Sequence, residues 1–151
     1  MPEGPECAKL ASQLNKWTRE RRISSFQITG GRYQKHGLPT GLVNENALNG
    51  HTVKAVGAMG KLIYWILDKN KVILNTLGLM GKWCKSKTKH CDLHISFEIK
   101  DEHPTTLWFK DQMHYGTVSI VDYKGLEKKL KSLGWDCLKP ETHERGLSFE
   151  K

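Results

Sequence analysis

The chain lacks paired cysteine spacing, a long apolar run and any repeated segment. Its four cysteines, Cys7, Cys84, Cys91 and Cys137, are scattered singly along 151 residues. That is too few and too dispersed for a disulfide scaffold, and no Cys-x-x-Cys pair is present to open a zinc finger. No hydrophobic stretch approaches the ~20 residues that a bilayer-spanning helix needs. The chain opens Met-Pro-Glu-Gly-Pro rather than with lysine and an apolar run, so a secretory leader is not expected. A reducing compartment, cytoplasm or nucleus, is the expected location, with no membrane partner. Acidic residues are also scarce, 16 against 24 Lys and Arg, which leaves a formal charge of +8. That surplus suits a partner rich in phosphate, although solubility alone would also account for it.

What is present is enough for one core: 38% hydrophobic residues and five tryptophans. From Pro5 to about Arg22 the pattern is helical. Leu10, Leu14 and Trp17 keep the i, i+4, i+7 spacing of one buried face, with Ala11 beside them. Pro5 suits a first turn, Glu6 suits the positive end of the macrodipole, and Arg19, Arg21 and Arg22 suit the other end. Short strands are predicted at residues 23–29, 52–57, 61–68, 72–78, 81–86, 92–100, 105–111 and 117–123, each bounded by turn residues. Lys69-Asn70 is a tight hairpin loop in this reading, and 34–50 a loop-rich connection. Leu126, Leu130 and Leu133 mark a second helix over 124–133, stopped by Gly134. The expected fold is mainly β, a two-layer sandwich of about eight short antiparallel strands flanked by the two helices. Residues 1–139 form the domain in this reading, and 140–151 a polar tail or the start of a linker.

The first six residues carry chemistry. A small residue at position 2 favours removal of Met1, which would expose the secondary amine of Pro2. Such an amine attacks carbonyl or ring-opened sugar carbons and gives an iminium cation, the Schiff-base chemistry that lysines perform elsewhere. Its unperturbed pKa, roughly 7.7–8.0, leaves part of it unprotonated near neutrality. Glu3 lies beside it as a proton carrier, and Glu6 positions the turn. A simple proline-rich helix start with acidic first-turn residues is the plainer alternative.

Met-Pro-Glu-Gly-Pro-Glu resembles the opening of the formamidopyrimidine-DNA glycosylase and endonuclease VIII family, and the glycine variant leans toward the endonuclease VIII branch. The resemblance implies that Pro2 is the nucleophile, Glu3 the catalytic glutamate and Glu6 the helix-start glutamate. Gly60-Lys61-Leu62 is similar to the family's Gly-Lys hairpin, which implies that Lys61 reaches the lesion's phosphate. An ordinary solvent-facing turn lysine fits the same spacing. Asn75-Thr76-Leu77-Gly78-Leu79-Met80-Gly81-Lys82-Trp83 is similar to the family's Leu-Gly-Met-x-Gly segment. Leu79 then fills the hole left by an extruded nucleotide, with Met80 sharing the role.

Phe109-Lys110-Asp111-Gln112-Met113-His114-Tyr115-Gly116 resembles the Asp-x-Arg-Arg-Phe-Gly loop. Tyr115 stands for the aromatic that wedges against the opposite base. Met113 and His114 replace two arginines, so the bidentate grip that arginine gives is lost, while His114 still donates one hydrogen bond. Lys82 and Lys110 add charge for flanking phosphates. Leu133-Gly134-Trp135-Asp136-Cys137-Leu138 resembles the segment closing the family's first domain, with Trp135 and Cys137 where prolines are usual.

The resemblance covers residues 2–140, which in the family is the first half of an enzyme. The helix–two-turns–helix domain and the zinc finger that follow there have no counterpart in these residues. Cys84, His90, Cys91 and His94 include the ligand types of zinc, but His90 and Cys91 are adjacent and point to opposite faces of a strand. No metal and no cofactor are expected. The resemblance implies a monomeric base-excision-repair glycosylase with AP lyase activity on oxidised bases, its partner damaged DNA, including abasic and single-stranded forms. The alternative from another class is a catalytically weak or inactive damaged-DNA-binding module lacking the second domain. A third, an RNA-binding β-sandwich, would need surface aromatics for stacking.

Overall fold

The computed structural model describes residues 4–78, 81–87, 89, 91–99, 103–111 and 116–134. Helix α1 (Gly4–Thr18) leads into β1 (Ile23–Ile28) and a short helix α2 (Gly31–His36). Strands β2 (Val53–Met59), β3 (Leu62–Leu67), β4 (Val72–Thr76), β5 (Lys82–Cys84), β6 (Cys91–Phe97), β7 (Thr106–Lys110) and β8 (Thr117–Val121) follow, and α3 (Tyr123–Ser132) closes the described chain. The strands form two antiparallel sheets of four, in the orders β1-β6-β7-β5 and β2-β3-β4-β8. The expected mainly-β sandwich with a leading helix and a second helix is what forms.

Alternation explains the layers. Leu93, Ile95, Phe97, Leu107, Phe109 and Trp83 turn inward from one sheet against Val53, Ile63, Trp65, Leu67 and Ile73 of the other, all within one buried cluster. Cys7, Ala11 and Leu14 of α1 join that cluster. Strand β3, Leu-Ile-Tyr-Trp-Ile-Leu, shows no alternation because every residue in it is buried. Its second face carries Leu62, Tyr64 and Ile66, which pack with Leu74 of β4 and with Leu126 and Leu130 of α3. A strand covered on both sides reads as a continuous apolar run. Lys69 and Asn70, both at positive φ (57° and 65°), make the expected tight β3–β4 turn.

Two expectations are corrected. The first helix ends at Thr18, not near Arg22. Glu20 takes φ 63° and its N–H turns to Val53 O at 2.7 Å. Arg21 then folds under the end of the helix, donating to Trp17 O (3.1 Å), Glu98 O (2.7 Å) and Pro104 O (2.7 Å), with its guanidinium over the Phe97 ring. Desolvation holds its pKa below the ordinary arginine value. Second, the loop-rich connection assigned to 34–50 begins inside α2, and the remainder supplies Leu42 and Leu48 to the core. Six residues are too few to show helical periodicity. Tertiary contact fixes α2 instead, through Tyr33 Oη, which donates to Val118 O (2.9 Å) and accepts from Val118 N (2.7 Å). Residues from 135 onward, including the expected tail, lie outside the described residues.

Candidate active site

Strand register gathers the segments that the sequence singled out. Leu62 at the start of β3 pairs with Thr76 at the end of β4. Thr76 in turn pairs with Thr117 at the start of β8. The β2–β3 turn carrying Lys61, the loop after β4 and the loop before β8 therefore leave one end of one sheet, on strands about 4.8 Å apart.

The β2–β3 turn is Gly60-Lys61, between the paired residues Met59 and Leu62. Gly60 adopts φ 58°, as the first residue of a two-residue hairpin turn often must. The start of α1 rests on this turn: a β-carbon on Gly4 would lie 3.7 Å from Gly60 O and 3.8 Å from Gly60 Cα, ordinary van der Waals contact. Glu6, exposed in the first turn of α1, and Lys61, exposed at the hairpin tip, thus belong to elements that touch.

The two loops are closed at their roots. Gly81 N donates to Leu77 O at 2.8 Å, and Gly78 takes φ 66°. A side chain on Gly81 would come within 2.0 Å of Leu77 O, so only glycine permits this closure. On the other loop, fully buried Asp111 accepts from Gly116 N at 2.6 Å. A β-carbon on Gly116 would meet Thr76 O at 2.7 Å, which brings the second loop against the root of the first.

Asn75 joins both roots to the opposite sheet. It is completely buried, accepts from Trp83 Nε1 at 2.8 Å, and donates to Thr117 O at 3.1 Å and Thr76 O at 3.3 Å. Thr76 Oγ1 lies 2.7 Å from Thr117 Oγ1 and accepts from Thr117 N at 3.0 Å. Hydrogen bonds among these buried polar groups rigidify the junction. Just outside it, Lys82 and Lys110 face each other as directly paired residues of β5 and β7.

Of the residues expected at the site, the structure brings together the elements of Glu6 and Lys61, and pairs Lys82 with Lys110. Pro2, Glu3, Leu79, Met80, Met113, His114 and Tyr115 lie outside the described residues. Sequence reasoning gave Asn75, Trp83, Asp111, Thr76 and Thr117 no role. The available signal was a polar Asn-Thr pair ending an apolar strand and an aspartate at the head of a loop. Among the described residues no group of three or more His, Cys, Asp and Glu side chains is placed to hold a metal ion.

The described residues thus form a sandwich of two four-stranded sheets, with a helix start and two pinned loops meeting at one sheet end. The family model described as formamidopyrimidine-DNA glycosylase N-terminal domain matches residues 1–118, and the chain belongs to that family. A formamidopyrimidine-DNA glycosylase of Salinispora arenicola is 30% identical over 150 residues, covering 95% of this chain and 51% of that protein. One of Salinispora tropica is 27% identical, covering 93% and 50%. The chain spans about half the length of these curated relatives. Among solved structures, the Lactococcus lactis glycosylase non-covalently bound to DNA containing an AP site superposes with a TM-score of 0.70 at 18% identity, over 86% of this chain and 48% of that one. MutM in complex with DNA containing carbocyclic 8-oxo-G gives 0.73 at 19%, over 87% and 48%. At such identities the structural likeness establishes the fold.

Proposed function

We propose that this chain is the catalytic N-terminal domain of a bifunctional DNA glycosylase and AP lyase that removes oxidised bases during base-excision repair. The observation that carries the reading is the meeting, at one end of the β2-β3-β4-β8 sheet, of the α1 start, the Lys61 turn and both loop roots. Two peptide links separate Pro2 from Gly4, a reach of no more than about 7–8 Å. The reading requires the imino group of Pro2, freed by loss of Met1, to lie within that reach of the Lys61 turn.

In this mechanism the lone pair of Pro2 bonds to the sugar's anomeric carbon while the glycosidic bond breaks, and the departing base takes up, through solvent, the proton that the amine loses. Glu3 donates a proton to the ring oxygen as the sugar opens, leaving an iminium. The cation acidifies the neighbouring carbon, which loses a proton as the 3′ phosphate is expelled. The 5′ phosphate follows, and water releases the amine. Glu6 positions the helix start, and Lys61 binds the lesion's phosphate. Leu79 and Met80 fill the vacated stack, Tyr115 wedges opposite, and Met113 and His114 contact the facing strand. These residues offset an extrusion cost of a few kcal/mol, smallest for a damaged or unpaired base. Lys82 and Lys110 hold flanking phosphates. The domain works as a monomer, without a metal or cofactor of its own, wherever DNA is. Gly4 favours the endonuclease VIII-like branch.

Borohydride reduction on abasic and oxidised-base DNA tests this. The chain should be trapped covalently and Pro2→Gly should not. Equal trapping by Pro2→Gly removes Pro2 as the nucleophile. Intact-mass measurement should show loss of one methionine. A second reading is a damaged-DNA-binding module of weak or no turnover, which the surplus of 24 Lys and Arg over 16 acidic residues serves equally well. Nicking of abasic single-stranded DNA supports the enzyme, while salt-sensitive binding with no adduct supports the module.

A further inference from the structure

Outside the proposed reaction lies the outer face of the β1-β6-β7-β5 sheet. Lys82 and Lys110 stand directly opposite on neighbouring strands of this face, and like charges so placed repel. Two residues farther along β7 is Trp108, half-buried and directly paired with Cys84 on one side and His94 on the other. Lys87 Nζ sits 5.6 Å from the Trp108 ring centroid, and the His94 ring packs against it at 4.3 Å. The β5–β6 connection, Lys85-Ser86-Lys87-Thr88-Lys89, adds two more lysines, and Lys85 Nζ lies 5.5 Å from the Trp17 ring centroid. Among the described residues no outward position of these four strands carries an exposed carboxylate. Asp92, at the β6 bulge, is buried beside Gly31 at the start of α2.

We propose that this face is a binding site for single-stranded DNA that adjoins the lesion site at Lys82 and Lys110 and extends beyond it to Trp108 and Lys87. An unpaired base stacks on Trp108, and Lys82, Lys110 and Lys87 take the phosphates beside it. Three observations converge on that occupant. The opposed lysine pair is relieved by an anion between the two ammonium groups. An aromatic surface flanked by cations is the standard platform for bases and phosphates in alternation. The row also starts where the lesion loops end, since Lys82 follows Gly81 and Lys110 precedes Asp111, so a strand leaving the site runs onto it. A base displaces the Lys87 ammonium from the indole, and that charge transfers to a phosphate. Duplex DNA keeps its bases stacked on each other and gains only the lysine contacts. The inference extends the glycosylase reading but shares only Lys82 and Lys110 with it.

Fluorescence anisotropy with the full chain, a short oligothymidylate and a duplex of equal length tests it. Trp108→Ala should weaken oligothymidylate binding about tenfold, the scale of one lost stack, and leave duplex binding and borohydride trapping unchanged. Trp108→Phe should keep most of the affinity. Lys87→Ala should lower the salt slope for the oligothymidylate by about 0.7. Undiminished affinity in Trp108→Ala, or equal losses for single strand and duplex, overturns the proposal. Should Trp108→Ala fail to fold, Lys87→Glu decides, because unchanged single-strand affinity there overturns it too. Oligothymidylate binding lost with Trp108 in a chain that never forms an adduct would sink the enzymatic reading and leave this one standing.

Discussion

Sheet β2-β3-β4-β8 is covered on both faces, by the common core on one and by α3 on the other. Sheet β1-β6-β7-β5 shares the core but turns Lys82, Lys110 and Trp108 toward solvent on its outer face. The doubly covered sheet is the scaffold, and its strand register places the Lys61 turn and both loop roots. Among the described residues no helix covers the outer face of the other sheet, whose outward positions include Lys82, Lys110 and Trp108. One layer of the sandwich is thus enclosed on both sides, and the other on one.

The largest effect should come from uncovering the scaffold. Leu126, on the inner face of α3, is fully buried, so Leu126→Ala should cost about 2–5 kcal/mol in urea unfolding. Gln27→Ala on the exposed face of β1 should stay within about 0.5 kcal/mol. Equal losses at the two positions would erase the distinction between the sheets.

A smaller loss is expected where the sheets are tied together. Asn75→Leu strands the buried Trp83 Nε1 without its acceptor, at a cost of about 1–3 kcal/mol. Amide exchange should then quicken at both Gly81 and Gly116, because the two loop roots share this junction. Faster exchange at Gly81 alone would show that the loops are independent.

The smallest effect is one of pH on the open sheet. His94 has its pKa lowered, first by burial and then by the Lys87 charge. A histidine held below its ordinary value takes up protons more readily when unfolded. Stability from His94 is thus fully present above about pH 6.5 and is lost as pH falls below it. Lys87→Met should make that acid-side loss shallower in thermal melts between pH 7 and pH 5, and an unchanged profile would rule out the coupling.

Much of this molecule was legible in the chain. Leu10, Leu14 and Trp17 announced α1, the alternating runs announced most strands, and the tight turn at Lys69-Asn70 formed as expected. The chemistry proposed for Pro2 and Glu3 rests on residue types at the first positions, which lie outside the described residues. Helix α2 was not legible, because its stability comes from Tyr33 on β8 rather than from any pattern of its own. Nor was the end of α1, where pairing of residues 20–22 with β2 overrode continued helix. Asn75 and Trp83 are eight residues apart and belong to different sheets, and no local signal links their side chains.

Sequence by itself determined the layers, since side-chain periodicity dictates which face of each element leaves water. It also determined the surplus of positive charge and the identity of the N-terminal residues. Tertiary structure alone decided the register that aligns Leu62, Thr76 and Thr117, and with it the meeting of α1, the lysine turn and the two loop roots. Backbone hydrogen bonds between strands are nearly the same for any residue pair. Register is therefore selected by the packing of the whole core and cannot be read from one strand at a time.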